Sequence, residues 1–352
     1  MYYIRFRLED GSWSVAKSTG QTTKTAAEAW AIEYLKSGKI VLKERVTFES
    51  FARDFFAPEG PFLRSRLLRG RGVGKNHLEN LQAYIRNYLL PYFGSQSLRR
   101  ITSLQVEEFT QELLGMNLST STVNHILTTL KIILREAFRK QYIQQLPVID
   151  RVAQRHRIRG VLSVEEARAF FNEPWEDPRL EAIHLLAATT GMRLGEIRGL
   201  QRKSVHPGYL EVRTSWEKGQ GLKGTKTGRP RIVPLPERTE QALRRVMEIS
   251  PYQDPEDLVF FGRFRHSPLD HKMIEKSLWE RLSAIGISAE ERIQRGLCFH
   301  SWRHFFNSLL INHRIPIPKV QRIVGHTTDR MTEVYYHPDE YRDVLNVARR
   351  IL

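Results

Sequence analysis

Hydrophobic and polar positions change period several times along this chain. Residues 2–8 alternate as a strand does, with Tyr2, Ile4, Phe6 and Leu8 on one side and Tyr3, Arg5 and Arg7 on the other. Asp10-Gly11 is a hairpin signal, and Trp13 and Val15 predict a returning strand. Thr25 to Glu28 reads as a capping box opening a helix with Ala27, Trp30, Ala31, Tyr34 and Leu35 on one face. From Thr47 the period becomes helical. Phe48, Phe51, Ala52 and Phe55 predict one helix, and Leu78, Leu81, Tyr84 and Ile85 a second that stops at Pro91. Leu104, Phe109 and Leu113 predict a third, beginning after Thr102-Ser103. The fourth is the clearest. Val123, Ile126, Leu127, Leu130, Ile133, Leu134, Ala137 and Phe138 share a face, opposite Asn124, His125, Lys131, Arg135 and Arg139.

Beyond a second linker, Ser163 to Glu166 is another capping box, followed by helices near 164–172 and 179–190. Residues 209–235 turn strand-like, with tight turns at Gly219–Gly221 and Thr227-Gly228, before helices resume near 237–249 and 271–284. The expected fold class is mainly α with small antiparallel β-sheets (α+β). The expected domains are a sheet-plus-helix module over 1–38, a four-helix domain over 46–147 and a mostly helical domain with a small sheet over 159–352.

Charge narrows the class. The 352 residues hold 55 Lys and Arg against 39 Asp and Glu, a net charge of +16. Such a surplus favours a polyanionic partner, nucleic acid first, over a merely basic soluble protein. Much of it is clustered. The stretch from Pro58 to Gly74, expected to be a loop, carries Arg64, Arg66, Arg69 and Arg71, then Lys75, with no acid after Glu59. The polar face of the fourth helix adds Lys131, Arg135 and Arg139, and the linker 148–161 adds Arg151, Arg155, Arg157 and Arg159. These are candidate DNA phosphate contacts, although basic faces are often simply solvated. Arg5, Arg7 and Lys17 make the first module either an accessory DNA contact or a cap on its neighbour. Cys298 is the only cysteine, so no internal disulfide forms and a reducing compartment is natural. No apolar run is long enough to span a membrane, and the first residues lack the core of a signal peptide, so a cytoplasmic protein is expected.

Candidate chemistry gathers near the C-terminus. His300 and Arg303 are three apart, a spacing that shares a helix face, and Tyr335 lies nine residues past His326. Upstream stands Thr190-Gly191-Met192-Arg193-Leu194-Gly195-Glu196. Breaking a phosphodiester without a metal needs a nucleophile, cations on the non-bridging oxygens and an acid for the leaving oxygen. Arg193 and Arg303 suit the second role, because a planar guanidinium holds two phosphate oxygens. Glu196, one turn on, can hold Arg193 in place. Lys226, in a turn of the small sheet, can reach a leaving 5′ oxygen. Tyr335 is the candidate nucleophile, with His300 and His326 able to take or share its proton. Each also has a plainer reading: a surface arginine, a turn lysine, a packed tyrosine. His300 and His304 have metal-ligand spacing, but no Glu follows His300 and no third ligand is evident, so neither metal nor cofactor is expected.

These clusters resemble the tyrosine recombinases of the phage-integrase family. The first box of that family is matched by Thr190 to Ile197. The second is matched by His300-Ser301-Trp302-Arg303-His304, Val324-Gly325-His326 and Met331 to His337, and the hairpin lysine by Lys226-Thr227-Gly228. The step from His326 to Tyr335 and the Tyr-x-His ending, with His337 in place, favour Tyr335 over Tyr336. The resemblance runs from about Thr47 to the C-terminus, and the first module is loosely similar to arm-binding domains of mobile-element integrases. It implies Tyr335 attacking the scissile phosphate, Arg193, Arg303 and His326 holding it, Lys226 protonating the 5′ oxygen and His300 assisting proton transfer. It further implies a 3′-phosphotyrosine, strand exchange through a Holliday junction, and a homotetramer on two DNA duplexes. Integration or excision of a mobile element is the implied task, with accessory DNA-bending or directionality factors possible. An apolar stripe of Tyr341, Val344, Leu345, Ala348 and Ile351 could dock on a neighbouring protomer or on its own domain. A type IB topoisomerase shares this chemistry but relaxes DNA as a monomer. A non-catalytic DNA-binding protein would leave Tyr335 dispensable.

Overall fold

The computed structural model describes residues 1–7, 13–14, 16–37, 46–70, 72–153, 160–224, 230–325 and 342–349. The chain forms two compact units, Met1–His156 and Arg157–Leu352.

In the first unit, β1 (Tyr3–Ile4) pairs antiparallel with β2 (Lys17–Ser18), and Arg7 bridges Trp13. The strands are shorter than the alternation over 2–8 predicts. The Asp10-Gly11 turn lies outside the described residues. α1 (Lys24–Lys36) buries Ala27 and Ala31, while Leu35 stays exposed. Its cap is Thr23 rather than Thr25, because the Thr23 side chain accepts from the Ala26 amide and nothing in Lys24-Thr25 resists helix.

The helical part follows as α2 (Phe48–Ala52), α3 (Pro61–Leu67), α4 (Lys75–Tyr84), α5 (Leu90–Phe93), α6 (Ser103–Gly115) and α7 (Thr120–Arg139). It holds more than the four helices expected, since part of the supposed Pro58–Gly74 loop is α3, started by Pro61 with its φ already helical. Nor does the second helix stop at Pro91. A π-turn over Ile85–Leu89 lets the Leu90 amide reach the Ile85 carbonyl, and Pro91 then falls in the first turn of α5, where its missing N–H costs least. Val106 takes the core place expected of Leu104, which is exposed, as is Phe138. α7 buries Val123, Ile126, Leu127, Leu130, Ile133 and Leu134, each contributing about 1.5–3 kcal/mol.

Asn124 was expected on the polar face of α7 but is buried. Its amide donates to the Val152 carbonyl at 2.8 Å, and its oxygen accepts the Val152 N–H at 2.9 Å. A single side chain thus pairs with extended backbone as a neighbouring strand would.

The second unit is built around α9 (Pro178–Thr190), buried on every side through Ala182–Thr190. α8 (Val164–Asn172) precedes it, with the expected capping box between Ser163 and Glu166. After α10 (Leu194–Arg198) come β3 (Val205–His206), β4 (Tyr209–Val212), β5 (Thr214–Glu217), β6 (Gly221–Gly224) and β7 (Arg231–Pro234). The antiparallel order is β3-β4-β7, with Leu210 opposite Val233, and β5-β6 is a separate hairpin. Pro234 is tolerated because β7 is an edge strand. Then follow α11 (Glu237–Ile249), α12 (His271–Ala284), α13 (Ala289–Arg295), α14 (Ser301–Asn312), α15 (Ile317–Val324) and α16 (Arg342–Ala348). α11 and α14 pack on α9, α10 on β5, and α15 on β7. Val344, Val347 and Ala348 of α16 are buried in the core of their own unit. Among the described residues no helix is long and apolar enough to cross a membrane.

Replacing Asn124 by Ala removes both bonds to Val152. The helical unit is expected to lose about 1–3 kcal/mol in urea unfolding, with faster hydrogen exchange at the Val152 amide.

Candidate active site

The Thr190–Glu196 stretch folds as a helix end, a tight reversal and a new helix start. α9 ends at Gly191 in the left-handed conformation (φ 63°), where a Cβ would stand 2.7 Å from the Phe306 ring. Glycine therefore lets α14 come close, and the Gly191 carbonyl accepts Nη1 of Arg303 at 2.8 Å. Arg303 is buried, and its Nη2 has no hydrogen-bond partner among the described residues. Burial first, and the nearby Arg193 charge second, lower its pKa to about 10, so it stays cationic at neutral pH. The result is a fixed, desolvated donor without an acceptor.

Arg193 precedes α10 and is about one-third exposed. Its Nη1 donates to Glu196 Oε1 at 3.0 Å, and its backbone N–H donates to Glu196 Oε2 at 3.0 Å. Its Nη2 donates to the Gly325 carbonyl at 3.3 Å, at the end of α15. Glu196 does hold Arg193, as its spacing predicts, and it also holds a residue that sequence reasoning passed over. Arg231, first in β7, makes two parallel bonds to the Glu196 carboxylate at 3.0 and 2.6 Å, and its Nε donates to the Ile323 carbonyl at 2.9 Å. The only sequence signal for Arg231 is a charge inside an apolar strand. Burial pushes the Glu196 carboxyl up, but the Arg231 hydrogen bond and charge, helped by Arg193, hold it below the ordinary range.

His300 stands at the start of α14, exposed and edge-on to His304 at 4.9 Å between ring centres. A cleft of about 220 Å³ opens beside it, lined by Met192, Leu194 and Cys298 among others. Trp302 is buried and donates from Nε1 to Nδ1 of His184 at 3.2 Å, and His184 Nε2 pairs with Ser277 at 2.9 Å. Burial lowers the His184 pKa to about 3, so it is neutral and acts as a fixed link between α9, α12 and α14. Its place in an apolar helix gave no hint of this. The structure brings Arg193, Glu196 and Arg303 together. Lys226, His326 and Tyr335 lie outside the described residues.

Of the candidate DNA contacts, Arg64, Arg69, Lys75, Lys131, Arg135 and Arg139 are exposed on the first unit. Arg139 pairs with Glu136, whose carboxyl is lowered by the Arg139 hydrogen bond and also by the charges of Lys140 and Arg69. Arg69 and the end of α7 thus form one basic cluster. Arg66 instead lies over the Phe62 ring at 5.6 Å. Arg71, Arg155 and Arg157 lie outside the described residues.

Residues 161–342, just over half of the chain, match the model of the phage integrase family. The tyrosine recombinase XerD of Chlamydia trachomatis is 24% identical over 273 residues, covering 73% of this chain and 85% of its own. The ICEBs1 integrase of Bacillus subtilis is 22% identical, covering 74% of each. A crystal structure of a lambda integrase tetramer bound to a Holliday junction shares the fold, with a TM-score of 0.61, 19% identity, and coverage of 94% of this chain and 90% of that one.

The lowered Glu196 pKa has a definite sign. The network's stabilisation is complete above the ordinary carboxyl value of 4.5 and is lost as pH falls through the lower folded value. Thermal unfolding of the protein is expected to weaken across that acid window. Glu196→Gln should flatten the dependence there while costing about 3–5 kcal/mol at neutral pH, because Arg231 is left buried without its counter-charge.

Proposed function

We propose that this chain, which belongs to the phage integrase family, works through Arg193, Lys226, His300, Arg303, His326 and Tyr335. It is a tyrosine-type site-specific recombinase, and the proposed reaction cleaves and rejoins DNA through a 3′-phosphotyrosine with no step that calls on metal or ATP. In the proposed reaction the Tyr335 oxygen attacks the scissile phosphorus and the bond to the 5′ oxygen breaks. The phenol proton passes to His300, and Lys226 supplies a proton to the leaving 5′ oxygen. Arg193, Arg303 and His326 hold the non-bridging oxygens. A 5′-hydroxyl of a partner strand reverses these steps, and the phosphotyrosine keeps the bond energy that rejoining needs.

The observation that carries this reading is the buried Arg303 guanidinium, fixed by the Gly191 carbonyl and beside Arg193, with its Nη2 unpaired among the described residues. An orphaned buried donor costs about 1–3 kcal/mol, and a phosphate oxygen placed there would remove that cost. Surface arginines would not be built this way.

The partners proposed are double-stranded recombination sites, bound by a homotetramer on two duplexes, as the lambda integrase tetramer is bound to a Holliday junction. Likeness to the ICEBs1 integrase favours integration and excision of a mobile element in a bacterial cytoplasm. Residues 1–38 are assigned to arm-type DNA binding, 46–147 to core-site binding and 159–352 to catalysis, with accessory bending or directionality factors. Arg64, Arg69, Arg71, Lys75, Lys131, Arg135, Arg139, Arg155 and Arg157 are the proposed phosphate contacts, Arg66 being the weakest of the original set. Val344, Val347 and Ala348 of α16 pack within their own unit, which supports docking on its own domain, while Tyr341 and Ile351 of that stripe lie outside the described residues.

The test is a library of nicked duplexes with randomised sequence, incubated with wild type or Tyr335→Phe and run on denaturing gels. A covalent DNA adduct is expected with wild type only, and sequencing it reads the site. An adduct that persists in the variant would transfer the role to Tyr336 or another nucleophile. DNA relaxation without exchange between two sites would instead mark a topoisomerase. Arg303→Gln should slow adduct formation by about 10²–10³-fold. Affinity for the site should fall steeply with salt, in proportion to the phosphates contacted.

A further inference from the structure

Arg231 is not one of the six residues assigned to the reaction, yet it closes a circuit through the site. Its Nη1 and Nη2 grip both oxygens of Glu196, and its Nε holds the Ile323 carbonyl. The same Glu196 oxygens accept the side chain and backbone N–H of Arg193. Two residues beyond Ile323, the Gly325 carbonyl accepts Arg193 Nη2. Arg193 is therefore held on two sides, by a carboxylate and by a helix end, and Arg231 fixes both. Gly325 is left-handed (φ 71°), and a Cβ there would come within 3.0 Å of Arg231 Nη1, so the helix end and the guanidinium are fitted closely.

We propose that Arg231 is a positioning residue, which orients Arg193 toward the scissile phosphate by holding Glu196 and the end of α15. The proposal rests on the reading of Arg193 as a phosphate-binding group. Arg231 does not itself touch the phosphate, because it is buried and its nitrogens are engaged within the protein. Lysine is a poor substitute, since one ammonium lacks the planar fork that spans a carboxylate and a carbonyl together.

A readout specific to phosphate charge separates positioning from general support. A methylphosphonate at the scissile position replaces a charged oxygen by a methyl group, so its cleavage depends less on arginine. Nicked site duplexes carrying phosphate or methylphosphonate are cleaved once by full-length wild type, Arg193→Ala and Arg231→Lys, at a temperature where each is folded by circular dichroism. Arg231→Lys is expected to bind site DNA within about 3-fold of wild type yet form the phosphate adduct about 100-fold more slowly. On methylphosphonate the loss should shrink to below about 5-fold, and Arg193→Ala should show the same relief. Equal slowing on both substrates by Arg231→Lys, with relief in Arg193→Ala, would overturn the positioning role and leave Arg193 assigned. Absence of relief in Arg193→Ala would overturn the phosphate role of Arg193 itself, and the proposal with it. Should the lysine variant not fold, Arg231→Gln, uncharged but still a donor to Glu196, carries the same comparison.

Discussion

One carboxylate organises the second unit. Glu196 is almost fully buried, and burying a lone charge of that kind costs several kcal/mol unless partners compensate. Its partners arrive from separate parts of the chain: Arg193 from the turn before α10, and Arg231 from the edge strand β7. Through Arg231 the network extends to the last turn of α15, whose carbonyls have no partner within the helix and carry the negative end of its dipole. Loss of Glu196 would leave Arg231 buried without its counter-charge, and loss of Arg231 would leave the buried Ile323 carbonyl without its donor. The parts are thus energetically coupled, and the position of Arg193 follows from all of them.

The scaffold beneath is apolar and depends on close approach. α9 is buried on every face, and α14 can lie against its end because Gly191 has no Cβ. The His184–Trp302 bond then fixes the residue just before Arg303. His184 can serve in this way only while neutral, and burial ensures that across the physiological range. Polar atoms in this core set register between helices that apolar packing alone would leave free to slide.

Elements with an uninterrupted period were legible from the sequence. α7, α8, α9, α11 and α12 stand where hydrophobic spacing and capping residues put them. The failures arise where a residue's usual signal is overruled by the bonds its neighbours make, near or far along the chain. Pro91 is a helix breaker only where its N–H is needed, and the π-turn before it removes that need. Asn124 looks like a solvent-facing residue until Val152, twenty-eight positions later, supplies two backbone partners. At the site, Arg193, Glu196 and Arg303 were legible because their chemistry and spacing are local to two short motifs. Arg231 and His184 were not, because a charge in a strand and a histidine in an apolar helix reveal nothing until distant residues meet them.

Among the described residues the charge balance of the candidate site is uneven. Arg193, Arg231 and Arg303 converge on a region where Glu196 is the only acid in the described network, so among the described residues positive charge exceeds negative by two. Burial is the main reason the Arg303 pKa is lowered, and repulsion from Arg193 and, less, from Arg231 adds to it. A chain selected for stability alone would place a second carboxylate there or move one arginine to the surface. Under the proposed reading, that surplus suits a phosphate whose charge grows as bonds rearrange. Because Arg303 is already oriented and desolvated, little reorganisation would be needed there when that charge develops.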